Sequence, residues 1–320
     1  MLVFLGDFRR LTHFAQRRKS RQEDSARESP VNSVYVFVYR LYIAIKTSVL
    51  DRTLLRWPGA RRAFSAAKDF GRRIFPSRTV WIQVQSGPAQ GMWMHLRIPE
   101  EAGFWRGEHE PDVMAALSAM VKPGTVVYDA GAHLGSITLA VARLVGATGR
   151  VVAFEADPDN AARLRENVAR NHLEPIVQIV PSAVWSRSDS QGVAFRRGRA
   201  EASQGGVEAD GQRPVLADGE TIQVAATTFD DFVVASKLPP NLVKIDVEGG
   251  ECEALQGGES LFTVHRPWLI VEVHNQQAYE WLGGWLEKFH YAPEWKIPKE
   301  NFPRYLIALP AESGVAKGAH

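Results

Sequence analysis

From residue 123 onward the chain alternates short apolar runs with longer amphipathic stretches. Val126, Val127 and Tyr128 end in Asp129, and a turn carrying Gly131 and Gly135 leads into a helix-compatible segment, Ile137 to Val145. Val151 to Phe154 ends in Glu155, after which Pro158 opens a helix whose polar face includes Arg163, Asn167 and Asn171. Ile176 to Val180 leads to Ser182-Ala183-Val184, and Ile222 to Ala225 precedes a helix near Phe229 to Ala235. Leu242 to Ile245 ends in Asp246, with a helix after Gly249-Gly250; Trp268 to Val273 runs into His274. A helix through Trp281 to Phe289, on which Trp281 and Trp285 read as packing residues, precedes a last apolar run, Tyr305 to Leu309. Strands alternating with helices imply an α/β fold with a mainly parallel sheet covered on both faces. Such sheets gather ligands at the carboxyl ends of their strands. Asp129, Glu155, Ser182, Asp246 and His274 should therefore meet in one cleft.

Upstream the pattern changes. Residues 51–75 read as basic helix and connector, Val80 to Val84 and Met92 to Leu96 as an antiparallel pair, and Asp112 to Met120 as a helix closed by Lys122-Pro123-Gly124. Residues 196–213, with Ser203-Gln204-Gly205-Gly206 at their centre, read as a loop suited to selecting an acceptor. The expected organisation is an N-terminal extension over 1–75 with helical segments, a catalytic domain over 76–310 and a frayed tail over 311–320.

Charge sharpens that division. Residues 1–75 carry sixteen Lys/Arg against six Asp/Glu, leaving 22 basic and 30 acidic residues in 76–320. A basic arm on an acidic body is a solvated tail or a contact for an anionic surface. Residues 34–50 are apolar enough to lie on a membrane, but Arg40 and Lys46 fall inside a stretch shorter than the roughly 20 uncharged residues a spanning helix needs. Met1 to Leu5 is too short for a signal-peptide core. One cysteine, Cys252, excludes an internal disulfide and a cysteine-based metal site. The expected location is cytoplasmic, with peripheral membrane contact through residues 1–50 left open.

The chemistry gathers at the strand ends. Glycines at 131 and 135 let backbone approach a ligand without an intervening Cβ. The G-x-G-x-x-G fingerprint is absent because His133 takes its second glycine's place, and no Gly-Lys-Ser/Thr follows. Glu155, twenty positions beyond Gly135, suits two ribose hydroxyls. Asp129 adds a second carboxylate that fixes loop amides or receives a cationic group. A doubly acidic pocket disfavours pyrophosphate and suits S-adenosylmethionine, which carries ribose hydroxyls, an amino group and a sulfonium. Ser182 and Ala183 are placed beside its adenine.

Asp129-Ala-Gly-Ala-His-Leu-Gly135, Phe154-Glu155-Ala-Asp-Pro158, Thr228-Phe-Asp-Asp231 and Lys244-Ile-Asp-Val-Glu-Gly249-Gly-Glu251 occur in the order seen in FkbM-family methyltransferases. Leu255-Gln-Gly257 and Ile270-Val-Glu-Val-His274 extend this resemblance over roughly residues 92–310. The resemblance implies a Rossmann-like seven-stranded methyltransferase sheet and methyl transfer to a hydroxyl of a sugar or related natural product. His133 stands where the family commonly has Asn, and Ala156 where it commonly has Pro; both fall among the residues expected at the donor. Gly107-Glu108-His109-Glu110 resembles the family's Gly-x-x-Glu segment, whose acids either close over cofactor or substrate or form a charged helix start.

Lys244, Asp246 and Glu248 alternate with Ile245 and Val247, which places them on one face for as long as the strand persists. The catalytic candidates are Asp246 facing donor and acceptor, Lys244 or Glu248 orienting the acceptor, and either Asp246 or His274 as the base. Asp246, Glu272 and His274 have the composition of a hard-metal site, but sequence does not fix their separations, and no metal is expected. The expected partner is a small-molecule or glycan acceptor, with no nucleic acid; the oligomeric state is unassigned. Two rival readings are a nicotinamide-dependent oxidoreductase on a similar sheet and a non-catalytic membrane or partner adaptor.

Overall fold

A computed structural model of the chain describes residues 77–197, 206–207, 220–295 and 302–311. The expectations for residues 1–75 and for the 312–320 tail lie outside them. Among the described residues, no helix is long and apolar enough to cross a membrane. Contacts divide the chain into two compact units, residues 1–81 with 97–99, and residues 82–96 with 100–320. The described part of the first is confined to the outer ends of two paired strands, β1 (Arg78–Gln83) and β2 (Trp93–Ile98).

The second unit contains everything that follows. In chain order its elements are α1 (Ala102–Arg106), α2 (Pro111–Met120), β3 (Val126–Ala130), α3 (Ser136–Val145), β4 (Arg150–Phe154), α4 (Pro158–Arg170) and β5 (Val177–Val180). Then come β6 (Ala183–Val184), β7 (Asp189–Arg196), β8 (Gly206–Val207), β9 (Thr221–Thr227), α5 (Phe229–Ser236) and β10 (Leu242–Ile245). The unit closes with α6 (Glu251–Gln256), α7 (Glu259–Val264), β11 (Trp268–Val273), α8 (Gln276–Lys288), β12 (Tyr291–Trp295) and β13 (Arg304–Pro310).

Seven strands form the main sheet in the order β12-β13-β11-β10-β3-β4-β5. Strands β11, β10, β3, β4 and β5 are mutually parallel, and β13 pairs antiparallel with both β11 and β12. The chain starts at β3, steps outward through β4 and β5, then returns to β10 on the other side of β3. That reversal is the switch point at which open α/β sheets hold ligands. Register puts Lys244 beside Asp129 across it.

The core follows from the continuous apolar runs: Val127, Tyr128, Val151 to Phe154, Leu242, Val243, Ile245 and Leu269 to Val271 are all buried. An aromatic chain through Tyr128, Phe154, Phe229 and Phe262 reaches Trp285, whose ring lies edge-on to Phe262 at 5.1 Å. Trp285 is buried and Trp281 packs at the rim, as their spacing predicts.

The polar face of α4 is not left to water. Asn171 Oδ1 accepts from the Trp93 backbone N–H at 2.8 Å and Asn167 Oδ1 accepts from that of His95 at 2.7 Å. Arg163 donates to the His95 carbonyl at 2.6 Å and grips Glu101 through both oxygens. Four-residue helix spacing thus meets two-residue strand spacing, and side chains stand in for a neighbouring strand.

A second sheet, β6-β9-β7-β8, corrects part of the sequence reading. Gly206-Val207 pairs antiparallel with Phe195-Arg196, so the stretch expected as loop from 196 contains strand at both of its described parts. β7 is mostly polar and goes unnoticed in the pattern; only Val193 and Phe195 alternate inward, onto Trp185 and Val224.

Candidate active site

The carboxyl ends of β3, β4, β10 and β11 open onto a cavity of about 430 Å³, within the range of roughly 300–1,000 Å³ typical of small-molecule sites. Gly131, His133, Glu155, Ala156, Ser182, Ala183, Lys244, Asp246, Glu248 and His274 all line it. Asp129 and Gly135 are not on its wall, and each has a different task.

Asp129 is fully buried below the cavity, where Thr138 Oγ1 donates to it at 2.6 Å and Lys244 Nζ stands 3.6 Å away. Burial holds its carboxyl above the usual range, against the pull of Lys244 and Thr138. Both glycines also serve chain packing. A Cβ on Gly131 (φ +82°) would strike the Asp246 carbonyl, and one on Gly135 (φ +90°) would strike Leu164 of α4. The missing Cβ at 131 lets the end of β10 close against the β3 turn; the one at 135 lets α4 seat on α3.

Glu155 lies at the other end of the site. Its Oε2 accepts from the His133 backbone N–H at 2.7 Å and its Oε1 from that of Asp157 at 2.9 Å. Burial raises its pKa to about 7, against those two amides. The Asn160 side chain bonds it as well, and the carboxylate oxygens keep lone-pair capacity for hydroxyl donors. Ala156, Ala183, Trp185 and Phe195 supply the apolar wall beside it. Trp185 and Phe195 carried no sequence signal, because Phe195 sits in the polar β7.

The acidic end is built around two cations. Lys244, 3% exposed, reaches Asp246 Oδ2 at 3.2 Å as well as Asp129. Burial works against its ammonium, but Asp246 and Asp129 outweigh that and hold its pKa above the usual value. The salt-bridge cluster that unpaired buried charge would demand is therefore present. His274 Nδ1 lies 2.8 Å from Glu251, and its Nε2 lies 3.2 Å from Glu248 and 3.6 Å from Asp246. Burial alone would lower the His274 pKa; the hydrogen bond and charge of Glu251, with Glu248 and Asp246, raise it to about 9. Burial works to raise the Asp246 pKa, but Lys244 and His274 outweigh it and hold the carboxyl below its usual range. Burial and the Asp246 charge push Glu272 up to about 8, and burial pushes Glu248 to about 7.

Glu251 and Tyr305 were not singled out as site residues by sequence. Glu251 falls inside the Lys244–Glu251 block and orients His274; Tyr305 lies opposite Glu272 in the register of β13 and lines the cavity. The β10 strand ends at Ile245, so alternation does not itself carry Glu248 to the site. A left-handed turn does: Glu248 has φ +51°, and Glu110 (φ +45°) and His133 (φ +51°) share that unusual backbone and line the same cavity. Burial lowers the His133 pKa to about 4, leaving a neutral ring 5.4 Å from Phe104.

The Methyltransferase FkbM domain model matches residues 129–297, which spans β3 to β12. The chain belongs to the FkbM methyltransferase family. Membership sets aside the nicotinamide reading and brings S-adenosylmethionine as cofactor; the Glu155 carboxylate and its apolar surroundings fit its ribose and adenine. Hexuronic acid methyltransferase AglP of Haloferax volcanii is 30% identical over 167 residues, covering 52% of this chain and 62% of that protein. Ribosomal protein L11 methyltransferase of Chloroflexus aurantiacus is 28% identical over 142 residues, 42% of this chain and 41% of that one. The chain thus matches less than two thirds of either relative's length. Among solved structures, methyltransferase FkbM from Methylobacillus flagellatus aligns over 57% of this chain and 43% of its own, at 17% identity and a TM-score of 0.40.

Proposed function

We propose that the chain methylates a hydroxyl oxygen of a saccharide or related natural product. The observation that carries this reading is one cavity lined both by a paired-oxygen acceptor, Glu155, and by an ionised carboxylate, Asp246. S-adenosylmethionine, when bound, supplies an electrophilic methyl group on a sulfonium. Glu155 accepts from its ribose hydroxyls, and Ser182 and Ala183 lie along its adenine.

The proton released by the acceptor hydroxyl goes to Asp246. His274, with a pKa near 9, is already an imidazolium at neutral pH and takes no proton there. Its task is to hold the acceptor side together with Glu251, while Lys244 fixes the Asp246 carboxylate from below. The acidic wall disfavours direct contact with an acceptor carboxylate and suits neutral hydroxyls. AglP, by name a methyltransferase acting on hexuronic acid, supports a sugar acceptor.

The test is transfer from trideuteromethyl-labelled S-adenosylmethionine to a panel of saccharides, read by mass spectrometry. The expected product gains one labelled methyl on a hydroxyl, and Asp246→Asn abolishes the gain while still binding the donor. Label found only on nitrogen or carboxylate, or undiminished transfer in Asp246→Asn, contradicts the reading.

A further inference from the structure

The acidic wall holds more negative charge than methyl transfer uses. Asp246, Glu248, Glu272 and Glu110 line it, with Asp129 against Lys244 and Glu251 against His274 off the wall, and with His109 against one oxygen of Glu110. Within that set, Glu110, Asp246 and Glu272 each offer one oxygen, and all three oxygens lie within 4.8 Å of one another. Two oxygens on opposite sides of a calcium-sized ion at about 2.4 Å are themselves about 4.8 Å apart, and adjacent ones are closer.

Glu110 is the telling member. It occupies the N-cap position of α2, yet its side chain makes no capping hydrogen bond. The side chain turns into the cavity instead and is only 8% exposed. Its Oε1 is 2.7 Å from His109 Nε2, while Oε2 is buried with no hydrogen-bond partner among the described residues. Asp246 and Glu272 are in hydrogen-bond contact, two acids held together by one proton, and the nearest cationic nitrogen to Asp246 Oδ1, His274 Nε2, is 3.6 Å away. A carboxylate oxygen stripped of water and given no donor, as Glu110 Oε2 is, is costly unless a cation takes the donor's place, and a cation can likewise replace the proton shared by Asp246 and Glu272.

We propose that Glu110, Asp246 and Glu272 form a binding site for a hard divalent cation of the magnesium, manganese or calcium class. The donors are all oxygen, which selects hard ions over thiophilic ones. Asp246 also belongs to a second triad with Glu248 and His274. That triad is the weaker ligand set, because both His274 nitrogens already face carboxylates and an imidazolium has no lone pair to give. Sequence left the spacing of Asp246, Glu272 and His274 unset; the fold sets it and brings Glu110 to the other two acids. A cation held there would make a hydroxyl bound to it more acidic. The site does not depend on which acceptor atom is methylated.

The experiment is a Mn²⁺ titration of the full chain without S-adenosylmethionine, read by the electron paramagnetic resonance of free Mn²⁺, with Mg²⁺ as competitor. The expected result is a saturable site that Mg²⁺ displaces and that Glu110→Gln and Glu272→Gln each weaken by at least about ten-fold, the lower bound seen even for outer-shell partners. Circular dichroism of each variant should match wild type. Absence of a saturable site in wild type overturns the proposal whatever the variants do. So does binding that survives both substitutions, or that falls only with Glu248→Gln.

Discussion

Glu251 Oε1 lies 2.8 Å from His274 Nδ1, with the Glu251 side chain only 2% exposed. The pair makes the fold pH-sensitive in a definite direction. His274 rises from 6.5 to about 9, so the folded chain binds its proton more tightly than the unfolded one. Its contribution to stability is then fully present below about pH 6.5 and lost as pH rises through about 9. Glu155, Glu248 and Glu272, raised from 4.5 to about 7, 7 and 8, act with the same sign. His133, lowered from 6.5 to about 4, acts with the opposite sign below about pH 6.5, so urea denaturation should show stability falling most clearly from about pH 6.5 to 9. The gap between wild type and His274→Gln should close across the upper part of that window. A gap that widens there would contradict the assignment.

Lys244 separates Asp129 from Asp246 in a buried cluster. Lys244→Met leaves both carboxylates without their cation and should cost about 3–5 kcal/mol in urea unfolding. A near-neutral result would mean that the cluster rearranges or takes up protons without strain.

Gly131 and Gly91 separate backbone strain from steric contact. Both have positive φ, +82° and +80°, but a Cβ on Gly91 meets nothing within 4 Å while one on Gly131 meets the Asp246 carbonyl. Gly91→Ala should cost about 1–2 kcal/mol, the left-handed penalty alone. Gly131→Ala should lose distinctly more in thermal melts, and equal losses would remove the packing role given to it.

Asn167 is fully buried, accepting from the His95 N–H and donating to the Leu134 carbonyl at 2.8 Å. Asn167→Ala strands both groups and should cost about 1–3 kcal/mol in chemical denaturation.

The central strands β3, β4, β10 and β11 were legible because they are largely apolar runs with an acid or histidine at or just beyond their ends, and two-sided burial demands that pattern; β12 was not read, because Pro293 and Glu294 interrupt its apolar residues. Glu155, Asp246 and His274 were legible for the same reason: each is a polar residue immediately beyond the last apolar residue of its strand. The polar β7 was not, since a strand in a small second sheet need turn only alternate residues inward. Gly131 and Gly135 were found, but their packing role was not, because the atoms a Cβ would meet belong to Asp246 and Leu164, far along the chain. Glu110 stood out through the Gly107–Glu110 resemblance, which left its acids either over the ligand or at a charged helix start; its turn into the cavity depends on a left-handed backbone that composition does not reveal.

The central claim is that Glu155 holds the ribose of S-adenosylmethionine in this cavity. Calorimetric titration of the donor into wild type and Glu155→Gln tests it most directly. Saturable wild-type binding that the substitution weakens by about 1–3 kcal/mol, with the fold intact, is the predicted result. Equal affinity in the two proteins, or no binding by wild type, would contradict it.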